Sequence, residues 1–261
     1  MRKVIRAIAI LAFLAVIGIS GFKLWEISAQ TVDESSVKRE MAGYRPQMPE
    51  IQFINSQAGD SVDNGSAALG YEEQEPQYQP NQGIIDMQNE VNSDILGWLT
   101  IPNTQIDYPF VIAADNDYYL GRNIHGQQAA AGSLFVDFRN SPDFTDFNTV
   151  IYGHNMKNLS MFGELRLFAN REFFLENTYG VIFLEDRTLT LEIFAYMIVQ
   201  ARDPVIYDIS PEQDAFYDYV SENASNYREP SARGQVVTLS TCSYEFNSAR
   251  GVLLATVVDI N

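Results

Sequence analysis

Between residues 97 and 260 one pattern recurs eight times: a short run dominated by β-branched and aromatic side chains, bounded by Gly, Pro, Asn or Asp. The runs are GWLTI, IDYPFVI, GSLFVDF, NTVIYG, GVIFLE, TLTLEIFAYMIVQ, QVVTLSTC and GVLLATVVDI. Such residues suit a pleated surface, and the bounding residues supply the turns between strands. Eight strands of this kind in about 180 residues predict a mainly β fold, an eight-stranded β-barrel, closed or nearly so. Helices are expected only at its periphery. IIDMQNEVNSDILGWL sets Ile84, Ile85, Met87, Val91, Ile95 and Leu96 at near-helical spacing, predicting a docking helix over 84–95. SMFGELRLFAN predicts a second over 160–170. A third follows Ser210-Pro211-Glu212-Gln213, where Ser210 can cap, Pro211 suits the first turn and Gln213 completes a capping box. Phe216, Tyr219, Val220, Asn223 and Tyr227 give that helix a mostly apolar face. The folded domain is expected over 84–261.

Upstream of it the chain has a different character. Arg2, Lys3, Arg6 and Lys23 are the only charged residues before Glu26, so residues 1–25 carry +4 and the remainder −21. The 16 residues between Arg6 and Lys23, AIAILAFLAVIGISGF, are uncharged. As a helix they span roughly 24 Å and need their basic flanks to reach across a hydrocarbon core of about 30 Å. Cations before the run and acid after it predict a single-pass signal-anchor over 1–25, with the N-terminus cytoplasmic and the rest of the chain outside the cell membrane. Ile27-Ser28-Ala29 is a poor cleavage site because its first position is bulky, although a cleaved leader would export the same body. Residues 26–82 are expected to form an extracellular stalk, largely disordered. Its first 20 residues extend the anchor, and the Pro-, Gln-, Ser-, Asn- and Gly-rich stretch from Gln47 to Gln82 has too little apolar surface to offset ordering entropy.

Composition narrows the function. With 17 Lys and Arg against 34 Asp and Glu, the net charge is −17, so the basic face on which generic nucleic-acid binding depends is missing. The single cysteine, Cys242, excludes an intramolecular disulfide. With only His125 and His154 beside it, a Cys/His zinc cluster is hard to assemble. No phosphate loop or dinucleotide fingerprint occurs, so no cofactor is implied.

Cys242 ends the run Val236-Val237-Thr238-Leu239-Ser240-Thr241-Cys242, and a second strong run begins at Gly251. The simplest connection is an antiparallel hairpin, which brings Arg250 close to Cys242. A guanidinium beside a thiol favours the thiolate, and its fork of donors can hold a developing oxyanion. His154 leaves the end of another apolar run, Asn148 to Gly153, where an imidazole can pair with a thiol and protonate a leaving amine. The bland alternatives are a packed cysteine, a solvated strand-end arginine and a hydrogen-bonded rim histidine. His125, in a Gly- and Gln-containing loop, reads as a surface histidine.

Thr238-Leu239-Ser240-Thr241-Cys242 with Arg250 eight positions on, preceded by Tyr152-Gly153-His154-Asn155, resembles the sortases. The apolar N-terminus, the eight strands, the helix at 211–227 and Gly132-Ser133-Leu134-Phe135-Val136-Asp137-Phe138-Arg139-Asn140 resemble class B of that family. The resemblance covers residues 84–261. It implies a cysteine transpeptidase that joins secreted proteins to the cell wall of Gram-positive bacteria. By the positions that match, Cys242 attacks the carbonyl of a Thr in a C-terminal sorting signal, His154 handles the protons and Arg250 steadies the oxyanion. Tyr152, Ser240 and Thr241 fall where the family binds substrate. The implied partners are the sorting-signal peptide, a lipid II-type peptidoglycan precursor amine as acceptor, and the membrane through the N-terminal helix.

Two other classes fit parts of the pattern. An L,D-transpeptidase-like cysteine enzyme also places His before Cys, but resembles Ser-x-Gly-Cys at the nucleophile where this chain has Leu239-Ser240-Thr241-Cys242. A non-catalytic, membrane-tethered β-barrel binding module would leave Cys242 merely packed.

Overall fold

The computed structural model of the protein describes residues 2–49, 80–242 and 247–258. Each of the eight apolar runs is a strand: β1 (Ile95–Thr100), β2 (Asp107–Val111), β3 (Leu134–Val136), β4 (Asn148–Tyr152), β5 (Tyr179–Leu184), β6 (Thr188–Gln200), β8 (Val236–Cys242) and β9 (Ala249–Val258). A two-residue strand, β7 (Asn226–Tyr227), is additional. The strands are ordered β5-β1-β2-β3-β4-β8-β9-β6, and β6 pairs back onto β5, so eight of them close a barrel while β7 flanks β6. Two pairings, β2 with β3 and β4 with β8, are parallel; the others are antiparallel.

Why the runs look so uniformly apolar follows from what covers them. Leu99, Phe110, Leu134, Ile151, Leu191, Ile193, Leu239 and Leu253 form one buried cluster. Their strand neighbours Val150, Phe194, Val236, Val252 and Leu254 form a second, with Phe216, Tyr217 and Val220 of α4 (Gln213–Asn223). Strands β4, β6, β8 and β9 are therefore packed on both faces, which turns alternation into continuous hydrophobicity.

The helices differ in detail from their expected limits. α4 is capped by Glu212, whose carboxylate accepts from the Asp214 and Ala215 amides at 3.3 and 2.7 Å, rather than by Ser210. Ser210 is held elsewhere: its amide donates to Asp208 at 3.0 Å, and the preceding Ile209 carbonyl accepts from Asn148 of β4. Tyr227 lies beyond the helix, in β7. The 160–170 segment is a 3-10 helix over Gly163–Ala169 followed by α3 (Arg171–Glu176). Phe162, Leu165 and Phe168 are all fully buried at intervals of three, the period of the tighter helix.

The segment expected as anchor and stalk divides into parts. α1 (Arg2–Met41) is one helix, and its end lies on the barrel. Lys38 Nζ donates to the Gln105 carbonyl at 2.9 Å and sits 4.1 Å above the Tyr108 ring. Met41 is 1% exposed, in a cluster with Ile95, Trp98, Val111, Phe183 and residues Ile84 and Met87 of α2 (Gln82–Glu90). Beyond it, Tyr44 donates to Glu90 at 2.8 Å and Arg45 pairs with Asp107 at 2.9 Å. Residues 35–49 are thus docked rather than loose, and 50–79 lie outside the described residues. Phe13, Leu14, Ile17, Phe22 and Trp25 of α1 are exposed. Among the described residues no helix is long and apolar enough to cross a membrane, so the transmembrane character expected of 1–25 gains no support from the structure.

Docking of α1 is open to direct measurement. Met41→Ala removes a fully buried side chain and is expected to lower unfolding stability in urea by about 2–4 kcal/mol. A change within about 0.5 kcal/mol, the usual cost at an exposed position, would show that this segment does not pack on the barrel.

Candidate active site

Strands β4, β8 and β9 are neighbours, and their registers bring together residues far apart in the chain. In the parallel β4–β8 pair Tyr152 stands opposite Ser240, and the Gly153 amide donates to the Ser240 carbonyl at 3.1 Å. The residues two further along, His154 and Cys242, therefore leave the same end of adjacent strands. In the antiparallel β8–β9 pair Cys242 stands directly opposite Arg250, as the hairpin predicts. His154, Cys242 and Arg250 thus meet at one barrel rim. The Cys242 side chain and residues 243–246 lie outside what the structure describes.

The two partners of the cysteine are held differently. Arg250 is half-buried, its Nη1 donates to the Ala249 carbonyl at 3.0 Å, and among the described residues it enters no ion pair. Its charge is not cancelled by a neighbouring described carboxylate. The His154 ring meets the Leu120 carbonyl at 2.6 Å through Nε2. A carbonyl only accepts, so this contact assigns the hydrogen to Nε2 and leaves Nδ1 as the basic nitrogen. The backbone beyond is pinned by the Phe162 amide, which donates to the His154 carbonyl at 3.0 Å.

Below the rim lies a polar cluster that sequence reasoning missed. Asp137, just past β3, is 1% exposed. Its carboxylate accepts from Tyr152 Oη at 2.9 Å, from Arg139 Nε and Nη2 at 2.9 and 2.8 Å, from the Arg139 amide at 3.0 Å and from Asn116 at 3.2 Å. Arg139 also donates to the Tyr207 carbonyl at 3.0 Å. The Tyr207 and Ser240 hydroxyls lie 2.8 Å apart, and the Tyr152 and Tyr207 rings stack with centroids 6.2 Å apart. Asn116, Asp137, Phe138, Arg139, Tyr152 and Tyr207 line a cavity of about 480 Å³ beside the strand ends.

Electrostatics fix the protonation of this cluster. Burial alone would raise the Asp137 pKa, but the hydrogen bonds from Arg139 and Tyr152 outweigh it and hold the carboxyl below its ordinary value. Burial, and then the Asp137 charge, push the Tyr152 phenol well up, so it stays a donor. Asp137 in turn raises Arg139.

Of the expected substrate-contacting residues, Tyr152 and Ser240 belong to this cluster, with Ser240 buried beneath Tyr207. Thr241 does not. It alternates to the opposite face of β8, is 5% exposed, and its Oγ1 has no hydrogen-bond partner among the described residues. His125 is far from free: its Nε2 lies 3.2 Å from Glu40 of α1. The missed residues carried one sequence signal, the Asp137-x-Arg139 spacing at a strand end, which puts both side chains on one side of extended backbone. Leu120 acts through its backbone and left none.

A fold and a rim of this kind have counterparts among known proteins. A family model described as the sortase domain matches residues 99–258. The sortase B of Listeria monocytogenes is 40% identical over 177 residues, covering 64% of this chain and 70% of that protein. The X-ray structure of Clostridium perfringens sortase B aligns with a TM-score of 0.63 at 31% identity, over 67% of this chain and 99% of that one. Sortase B from Bacillus anthracis in complex with AAEK1 aligns with a TM-score of 0.60 at 33% identity, over 68% and 85% of the two chains. The chain belongs to the sortase family and, within it, to class B. It is accordingly a cysteine transpeptidase.

The Asp137 cluster predicts a pH signature. Its folded carboxyl binds a proton more weakly than the unfolded one, so as pH falls toward and below 3.8 the unfolded state protonates first and the stability from ionised Asp137 is lost. The stability gap between wild type and Asp137→Asn, followed by denaturant unfolding, is expected to be constant above about pH 5 and to shrink below the ordinary carboxylate value. A gap independent of pH would remove Asp137 from the ionised role.

Proposed function

We propose that this enzyme cleaves the C-terminal sorting signal of secreted proteins through a thioacyl intermediate on Cys242 and passes the acyl group to a peptidoglycan precursor amine of the lipid II type. The observation that carries this is the double register of β8, which pairs Cys242 with Arg250 on one side and carries it out beside His154 on the other.

In the first half-reaction the Cys242 thiolate attacks the carbonyl carbon of the signal's Thr. A C–S bond forms and the carbonyl oxygen gains the negative charge. Arg250, in no ion pair among the described residues and planar, donates to that oxygen. Collapse breaks the C–N bond, and His154 gives the departing amine the proton that its Nδ1 took from the Cys242 thiol when the thiolate formed. In the second half-reaction the acceptor amine attacks the thioester, loses its proton to His154, and the C–S bond breaks to regenerate the thiolate. The thioester conserves the energy of the cleaved amide for the new one. The cavity of about 480 Å³ lined by Tyr152 and Tyr207 borders the strand that leads to His154, and we assign it to a side chain of the peptide.

The same proposal places the enzyme at the cell membrane, tethered through residues 1–25 with its N-terminus cytoplasmic and the barrel outside. Support comes from the 16 uncharged residues between Arg6 and Lys23 and the +4 charge of this segment.

Two substitutions test the chemistry. With a sorting-signal peptide and an amine acceptor, Cys242→Ala is expected to abolish cleavage, transfer and the thioacyl adduct seen by mass spectrometry, with the circular dichroism of the fold unchanged. Arg250→Lys is expected to lower kcat/KM about 100-fold, or ~2.7 kcal/mol of transition-state stabilisation, because an ammonium cannot reproduce the planar fork. Near-full transfer by Arg250→Lys would contradict the oxyanion role.

A further inference from the structure

The group that holds His154 is a backbone carbonyl, and one glycine permits that carbonyl to be where it is. Gly132, ahead of β3, has φ +58°, a region that L side chains rarely adopt. A Cβ built on it would lie 2.7 Å from the Leu120 carbonyl oxygen, 2.8 Å from the Tyr119 carbonyl oxygen and 3.1 Å from the Leu120 carbonyl carbon. Two backbone segments approach here more closely than any side chain allows. The Leu120 oxygen is the same atom that accepts from His154 Nε2 at 2.6 Å.

That acceptor is anchored from several directions. The Ser133 amide donates to the Tyr119 carbonyl at 3.1 Å, Gly132 to Ala129 at 3.1 Å, and Ala129 to Gly121 at 3.0 Å. Tyr119, 2% exposed, takes a hydrogen bond from Asn92 at 2.6 Å and gives one to Asp94 at 2.7 Å. The carbonyl therefore stands on a fixed platform rather than a loose loop.

Resting on the proton-transfer role proposed for His154, we infer that the Leu120 carbonyl orients its imidazole and fixes the hydrogen on Nε2, and that Gly132 is the positioning residue that sets this carbonyl. The carbonyl takes the place that a carboxylate holds in a triad. A neutral acceptor fixes the tautomer without placing an anion beside the ring, and so without competing with the thiolate for the Arg250 charge. A side chain at 132 must push the Leu120 oxygen aside by several tenths of an ångström, turning the ring or freeing its tautomer. Misplacement on that scale lowers turnover with little effect on peptide affinity.

The test uses the full chain and three variants. Gly132→Ala carries both the strained φ and the clash. Gly132→Asn carries the same clash with a residue that tolerates positive φ, and is read where the alanine variant fails to fold. Gly126→Ala is the control: φ there is +74°, yet its Cβ would meet only the Tyr118 hydroxyl, at 3.3 Å. Ring ¹⁵N spectra are recorded on histidine-labelled protein, the His154 signals being assigned by their loss in His154→Gln. Wild type and Gly126→Ala are expected to show His154 as the Nε2–H tautomer, and the 132 variants a mixture. In peptide cleavage the 132 variants are expected to lose about 10- to 100-fold in kcat with KM within about twofold, while Gly126→Ala stays within about twofold of wild type in both. An unchanged tautomer in the 132 variants, or an equal loss in Gly126→Ala, overturns the inference. The spectra decide it even if the enzyme proves inactive on sorting signals, a result that would count against the proposed function instead.

Discussion

The parallel pairing of β4 with β8 is the constraint on which the rest of this enzyme depends. Parallel neighbours run the same way, so their carboxyl ends emerge together, and the residues just beyond them share one rim. With Tyr152 opposite Ser240, His154 and Cys242 are brought out side by side although 88 residues of sequence separate them. A shift of one residue in either strand would turn its side chains to the opposite face and disperse the site. The register is secured by burial on both faces: Ile151 and Leu239 point into the barrel, and Val150 and Val236 pack beneath α4. The antiparallel β8–β9 pair adds Arg250 by the same means.

On this frame the polar groups are arranged in two tiers. At the rim, a cation without a described carboxylate partner and an imidazole held by a carbonyl flank the cysteine. One tier below, Asp137 gathers five hydrogen bonds and ties β3, β4 and the 201–208 segment into one unit through Arg139, Tyr152 and Tyr207. Keeping the carboxylate in the lower tier separates structure from chemistry. An anion against Arg250 would neutralise the charge on which its proposed oxyanion role rests, whereas the buried Asp137–Arg139 pair fixes the walls of the cavity.

How far the sequence revealed this depends on whether the signal was local. All eight barrel strands were legible because packing on both faces writes a continuous apolar run, whereas β7, two residues long, carries no pattern. Cys242 and Arg250 were legible as the ends of a hairpin, and His154 as the exit of a strand. The start of α4 was misplaced because Asp208 and β4 hold the stretch that includes Ser210. Residues 35–49 looked like stalk because a few side chains, chiefly Met41, do the docking, and composition averages them away. Asp137, Tyr207 and the Leu120 carbonyl were invisible for a common reason: their partners are distant in sequence and meet only once the strand registers are set. Thr241, next to Cys242, faces away from Ser240 and the cluster, since adjacency in a strand means opposite faces.

Because Cys242 is the only sulfhydryl in the chain, its reactivity in the folded state reports the central claim directly. Iodoacetamide labelling of the native full-length protein, followed by mass spectrometry, should give a single adduct at Cys242, formed faster than in His154→Ala or Arg250→Ala. A sulfur that resists the reagent until the protein is unfolded would mean that it is packed away from the rim, and the account of catalysis would fail with it.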